Sequence, residues 1–430
     1  MKFITLQRFF LYLLIISGII GSTFGAIKVG PIHLFPYRFF LVFLWYLFII
    51  NFFFCQGILK VSHIKVKRYL QFLALWFFYA LFTLSWAASK TDAIRHIIFL
   101  LMGFSIIFFI VCYLTELNQL KSLYYVWLLI FVLLIPVGIW EITTGNHLNV
   151  SGLSEELRFR FLFAPTTVFN NQNDYAVYIA LTLPMVLAWI RYYPRLIGRA
   201  LGVPVLIAGL WLLILTLSRS CYIAVLTGML FWFLFLLGWN KKIKALAVTA
   251  FMCVLLVVIF PTNTRDILSK VEIQAAGLNP IILQNEGIGT LYVRLNLIKN
   301  ALYFTAKLAG FGVGAGNIEY YMENYKIYPV GEITNMHNWW VEILANYGAF
   351  IFAGYLIFYI SLFWNLWKVY KRVNNRTEKM ICEAILVGLV SFFMASISSS
   401  SIIAFRPQWM FIGFALAFLN YCRIKKHPRI

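Results

Sequence analysis

Three residues far apart in sequence have the types that could share one reaction. Arg219 sits in "SRS" (218–220), a stretch of three between two long apolar runs. Arg294 lies within "TLYVRLNLIKNALYFTAKL" (290–308), and His337 opens "HNWWVEILANYG" (337–348), with Asn338 beside it and Glu342 about a turn further on. A guanidinium offers phosphate oxygens a planar fork of donors. An imidazole takes and returns a proton near neutral pH. Together they suit a phosphate-bearing substrate, with His337 as the base. Each also has a plainer reading alone. A boundary arginine snorkels to lipid phosphate, a histidine before a helix is an interfacial polar group, and Glu342 faces a water-filled cavity. Convergence of the three in space is what favours chemistry, so the elements that carry them decide the matter.

The chain of 430 residues is 62% hydrophobic, 19% aromatic and only 12% charged, more apolar side chain than a soluble domain of this length can hide. Apolar runs long enough to cross a core about 30 Å thick recur throughout. The pattern predicts an all-α polytopic membrane protein with about twelve transmembrane helices, at 9–27, 36–57, 69–86, 96–115, 123–141, 174–190, 200–217, 221–239, 245–261, 338–366, 380–398 and 408–422. The short alternating segments of a β-barrel are absent from it. Basic clusters orient the spans, among them Lys60, Lys65, Lys67 and Arg68, then Arg191, Arg195 and Arg199, and the tail from Arg423 to Arg429. They place both termini in the cytoplasm, and most acidic residues fall on the other side. The net charge of +21 is therefore inside-loop charge meeting anionic membrane lipids, and no nucleic-acid partner is expected.

One membrane domain follows, in three stretches. Residues 1–261 hold nine spans and an outer loop at 142–173. Residues 262–337 form a large outer loop before helix 10, and 338–430 hold the last three spans and a basic tail. The first span is expected to remain as an uncleaved anchor. In the large loop, Leu291, Leu295, Ile298 and Leu302 share a helical face, which predicts a helix lying on the membrane surface or capping the bundle. "GFGVGAGN" (310–317) then reads as a flexible hinge, with phosphate-facing amides as the sharper alternative. The six cysteines lie in or beside spans, so neither a disulfide framework nor a zinc site is expected. This topology puts Arg219 and His337 at the outer mouth of the bundle.

Several stretches now resemble a known family. They are "LTLSRSCYIAVLTG" (215–228), "YVRLNLIKNAL" (292–302), "LAGFGVGAGN" (308–317) and, most specifically, "HNWWVEILANYGAFIFAGY" (337–355). "PYRFF" (36–40) and "FNNQNDYA" (169–176) are similar to further family positions, the second with Gln172 where proline is usual and its upstream arginine displaced to Arg158 or Arg160. Over essentially its whole length the chain resembles the O-antigen ligase and O-antigen polymerase superfamily. That resemblance implies a GT-C-type glycosyltransferase of the bacterial inner membrane, its active site facing the periplasm. It would move a glycan from undecaprenyl diphosphate to an acceptor hydroxyl, on lipid A–core for a ligase or on a second lipid-linked glycan for a polymerase, with the ligase preferred. His337 would be the catalytic base, and Arg219, Arg294, Asn338, Arg158, Arg160 and Arg38 would bind substrate, with no metal and no cofactor. A twelve-span transporter or flippase is the remaining alternative. It predicts internal repeats and mid-membrane charges, and the sequence has neither.

Overall fold

A computed structural model describes residues 2–23, 25, 27–29, 32–54, 63–152, 163–238, 240, 242–243, 290–397 and 402–425. The expected span at 245–261, the loop up to 289, Arg158 and Arg160 lie outside the described residues. Thirteen helices run in order among those described: α1 (Lys2–Ile20), α2 (Pro36–Phe54), α3 (Lys67–Phe82), α4 (Lys90–Tyr113), α5 (Leu117–Thr144), α6 (Gln172–Tyr192), α7 (Leu196–Leu215), α8 (Arg219–Phe231), α9 (Thr290–Lys307), α10 (Ile318–Asn324), α11 (Trp339–Arg372), α12 (Arg376–Ala395) and α13 (Arg406–Ile424). A small antiparallel hairpin, β1 (Ile27–Val29) with β2 (Ile32–Leu34), joins α1 to α2. Seven candidate spans are long and apolar enough to cross a membrane by length and composition, and a helix covers every other expected span except the ninth.

Polar residues at the joins fix where these helices start. Ser89, Asn171 and Asn375 accept backbone N–H groups at the starts of α4, α6 and α12, and Glu116 with Gln119 forms a capping box for α5. Pro136, Pro184 and Pro204 sit inside long helices, a placement that membrane helices tolerate. Helix α12 is buried along most of its length and packs chiefly on α6 and α8, while α13 packs on α4.

The helices alternate in direction, so their joins fall at two ends. At one end, buried Glu383 accepts from Arg191 (2.6 Å), Trp232 Nε1 (2.6 Å), Tyr192 (2.8 Å) and Tyr370 (2.9 Å), tying α6, α11, α12 and the residue after α8 together. Removing one partner of such a buried pair costs about 3–5 kcal/mol, so this knot is structural. The other end gathers the starts of α2, α4, α6, α8 and α13, the end of α12 and all of α9 and α10. His337 and both loop arginines lie there.

The largest departure from expectation is in α11. Residues 338–366 do not form one straight span. Gly348 breaks the helix with φ 77° and ψ −179°, a combination essentially reserved for glycine. Beyond the break the chain doubles back: Trp339 Nε1 donates to the Tyr355 hydroxyl at 3.0 Å, and the rings of Trp340 and Tyr359 lie 5.3 Å apart. On a continuous helix residues sixteen apart are about 24 Å distant. Residues 339–347 are thus a buried half-helix folded against the top of the long segment that follows. The imidazole does not begin a spanning helix; it stands at the foot of this half-helix.

The glycine-rich stretch explains how the break survives. Val313 N–H donates to Ala345 O (2.8 Å) and Gly314 N–H to Asn346 O (3.0 Å), satisfying carbonyls orphaned at the half-helix C-terminus. Ala349 N–H, orphaned on the other side, donates to Gly310 O (2.8 Å). Ala315 N–H goes to Thr83 Oγ1 (3.0 Å), and Asn317 grips the backbone of Ser89. Neither expectation for this stretch survives at these positions: the amides are spent on protein oxygens, and the loop is a clasp rather than a hinge. Backbone meets backbone there, since a Cβ on Gly312 would lie 2.5 Å from Gly348 N and one on Gly348 2.1 Å from Gly310 O. Gly348→Ala should therefore cost about 3 kcal/mol or more. Gly331→Ala, at φ 61° with open space around it, should cost about 1 kcal/mol. Thermal unfolding of the two variants in detergent checks this, and equal melting points would refute the clasp.

Candidate functional site

Arg219 is the first residue of α8, and the turn before it is Thr216–Ser218. Leu217 takes φ 58° there, and the Ser218 hydroxyl makes no capping bond. Arg219 thus stands at the start of a helix, the end that favours negative charge. Position along α12 sets its level: Gly228, further down α8, packs on Ser391, and Trp339 N–H donates to Ser396 O just past the end of α12.

Arg294 stands beside it. Helix α9 caps the bundle by burying Val293, Leu297, Ala301 and Phe304 against Ala345 and Met336. The expected leucine face turns the other way, with Leu295 and Leu302 about half exposed. The Arg294 guanidinium is held below its ordinary pKa, first by burial and then by the like charge of Arg219. Among the described residues no carboxylate forms an ion pair with either arginine. With no carboxylate paired to them among the described residues, the like charges of Arg219 and Arg294 repel, and an anion between them would relieve that repulsion.

His337 follows Met336, the residue that packs in the α9 cluster, so it shares this neighbourhood. Its φ of 48° is uncommon for a residue with a side chain, and it turns the chain sharply into the half-helix. Asn338, expected to bind substrate, has its side-chain oxygen occupied as the helix cap, accepting from Trp340 N–H (3.1 Å) and Val341 N–H (3.3 Å). Beneath lies an aromatic block in which Trp339 packs against Trp76 and Trp409.

Glu342 does not face a water-filled cavity. It is buried, with His96 Nε2 3.5 Å from its carboxylate, and His96 Nδ1 is 2.7 Å from the Tyr347 hydroxyl. This bridge ties the half-helix to α4, and only folding brings His96 to it. Nearby Glu319 keeps an exposed surface, yet desolvation followed by the charges of Glu342, Asp92 and Glu323 pushes its carboxyl up to about 7. No group of three or more His, Cys, Asp or Glu among the described residues could hold a metal ion.

Arg38 lies elsewhere, in a cavity with Arg406 at the start of α13. Arg406 went unnoticed in the sequence, although "FRPQW" (405–409), like "PYRFF" (36–40), places an arginine and a proline among the first residues of a helix.

Comparison with known proteins bears on this geometry. A family model described as O-antigen ligase matches residues 204–358, a stretch that contains Arg219, Arg294, the clasp and His337. The teichuronic acid biosynthesis protein TuaE of Bacillus subtilis (strain 168) is 32% identical over 425 residues, covering 98% of this chain and 86% of that protein.

Proposed function

We propose a reaction for this chain, which belongs to the O-antigen ligase family: it transfers a glycan from a polyprenyl diphosphate, undecaprenyl diphosphate in bacteria, to an acceptor hydroxyl. Arg219 and Arg294 grip the donor diphosphate. His337 takes the proton from the acceptor hydroxyl as its oxygen attacks the anomeric carbon. The bond from that carbon to the diphosphate oxygen breaks, and the lipid diphosphate leaves with the charge that the two arginines neutralise. The carrying observation is the pair of guanidiniums, coupled to each other and without a carboxylate partner among the described residues, in which Arg294 stands beside the half-helix that His337 opens.

Two acceptors fit this chemistry, a sugar of lipid A–core or the end of a second carrier-linked glycan. The name of the Bacillus subtilis relative, a teichuronic acid biosynthesis protein, favours the second, the polymerising reading of this chain. Purified protein in nanodiscs, given a polyprenyl-diphosphate-linked repeat unit alone, is expected to release polyprenyl diphosphate and lengthen the glycan. Product only when lipid A–core is added would make it a ligase, and no release from any donor removes the transferase reading.

The reaction belongs on the outer face of the cytoplasmic membrane, where the basic clusters orient the site. Reporter fusions at Lys242 and Lys371 should read cytoplasmic, and fusions at Ser154 and Asn279 external. A cytoplasmic signal at Asn279 would put the site on the wrong side.

A further inference from the structure

A second cluster of cations lies outside the donor grip. Between the starts of α2 and α13 and the middle of α4 is a cavity of about 220 Å³, with Phe35, Tyr37, Arg38, Arg406 and Trp409 in its walls and no acidic residue among them. Two guanidiniums lie over the Phe35 ring, that of Arg38 at 5.1 Å and that of Arg406 at 5.0 Å, and Arg406 also lies 5.3 Å from the Tyr37 ring. Stacking on aromatic faces fixes a guanidinium's plane without using its N–H donors. Arg406 Nε is buried with no hydrogen-bond partner. The Tyr37 hydroxyl is unpartnered too, on a side chain with no exposed surface. Asp174, at the start of α6, is near enough for its charge to act on Arg406. A cavity that leaves the buried Arg406 Nε and the Tyr37 hydroxyl without partners is unfavourable when empty. An oxyanion would satisfy it.

The cavity's place says which substrate brings that oxyanion. Trp409 forms one wall, its indole N–H held by Ile403 O at 2.9 Å, and the same ring packs 5.9 Å from Trp339. One indole therefore separates the cavity from the half-helix that His337 opens, while the donor diphosphate is assigned to Arg219 and Arg294. We propose that the cavity of Arg38, Arg406, Phe35 and Tyr37 is an acceptor subsite that binds an oxyanion of the incoming glycan, a sugar carboxylate or a carrier phosphoryl group. This rests on the transferase reading above.

The test uses the full chain in nanodiscs, with a carrier-linked acceptor bearing an acidic sugar and the same acceptor with that carboxyl reduced to an alcohol. Arg406→Gln is expected to raise the acceptor KM at least about tenfold, the loss of one charge-assisted contact, and to leave the donor KM unchanged. Ser22→Phe, which fills the cavity from its rim and keeps both arginines, should do the same if Arg406→Gln does not accumulate. A defect that disappears with the reduced acceptor identifies the sugar carboxylate, and one that persists identifies the phosphoryl group. A raised donor KM, or no change in either, overturns the proposal. Acceptor binding measured without donor separates the two ideas. Binding that depends on Arg406 in a protein that transfers nothing upholds the subsite and removes the reaction. Wild-type binding that Arg406→Gln leaves intact removes the subsite.

Discussion

His337→Asn lowers glycan transfer by about 100- to 10,000-fold, the range for loss of a general base, and leaves the protein folded in the membrane. Asparagine is the informative replacement because of the backbone. His337 holds φ 48°, where asparagine is tolerated and alanine pays about 1–2 kcal/mol of strain. His337→Ala would confuse lost chemistry with a misdirected half-helix. An amide cannot take a proton near neutral pH, so the asparagine variant removes the base alone. Turnover of purified lipid-linked donor, with melting in detergent as the control for folding, checks it. Transfer at the wild-type rate in His337→Asn would leave no role for the imidazole.

The arginine pair gives the second large effect, with two readouts moving in opposite directions. Arg219→Ala and Arg294→Ala should each cost about 2–4 kcal/mol of transition-state stabilisation, or roughly 30- to 1,000-fold in rate. Arg219→Lys should be nearly as slow as the alanine variant, because a point charge does not replace a fork. Yet each alanine variant should melt higher than wild type when no donor is present, since it relieves the like-charge contact that already depresses Arg294. Loss of activity with a gain in stability is the signature of a binding pair; loss of both would mean that the arginines merely support the fold. Lys307, at the far end of α9 and stacked on Tyr303, should tolerate alanine in both assays.

Periodic apolar length was legible in the sequence, because it is local. The helix starts at Lys67, Gln172 and Arg376 fall within four residues of expectation, and the one at Lys90 six residues before it, since capping side chains and flanking charges sit next to the apolar runs they bound. Arg219, Arg294 and His337 were legible as candidates from residue type and position at the mouth. The reversal at Gly348 was not. "NYGAF" (346–350) keeps helical periodicity across the break, and only a loop some thirty-five residues upstream supplies the carbonyl and amides that make the break stable. Its glycines read as freedom, whereas each close approach to another backbone uses them as absence of bulk. His96 and Arg406 were missed for the same reason: each acquires its neighbours only when α4 or α13 packs against distant segments.

The break in α11 also separates two lengths that a continuous helix would tie together. Thirty-four residues of unbroken helix would measure about 51 Å, well beyond a hydrocarbon core of about 30 Å. Counted from Ala349 to Arg372 the segment is about 36 Å, enough to span with a modest tilt. The bilayer therefore gauges only the part after Gly348, and the half-helix is free to be gauged by the reaction. One residue added between Trp339 and Tyr347 would swing His337 by about 100° around the half-helix axis without altering how the chain sits in lipid. One residue added below Tyr359 would shift the register of the Glu383 knot at the opposite end and leave the imidazole where it is. Thickness of the host membrane and placement of the His337 imidazole are thus independent variables in this chain, set by different residues and open to separate change.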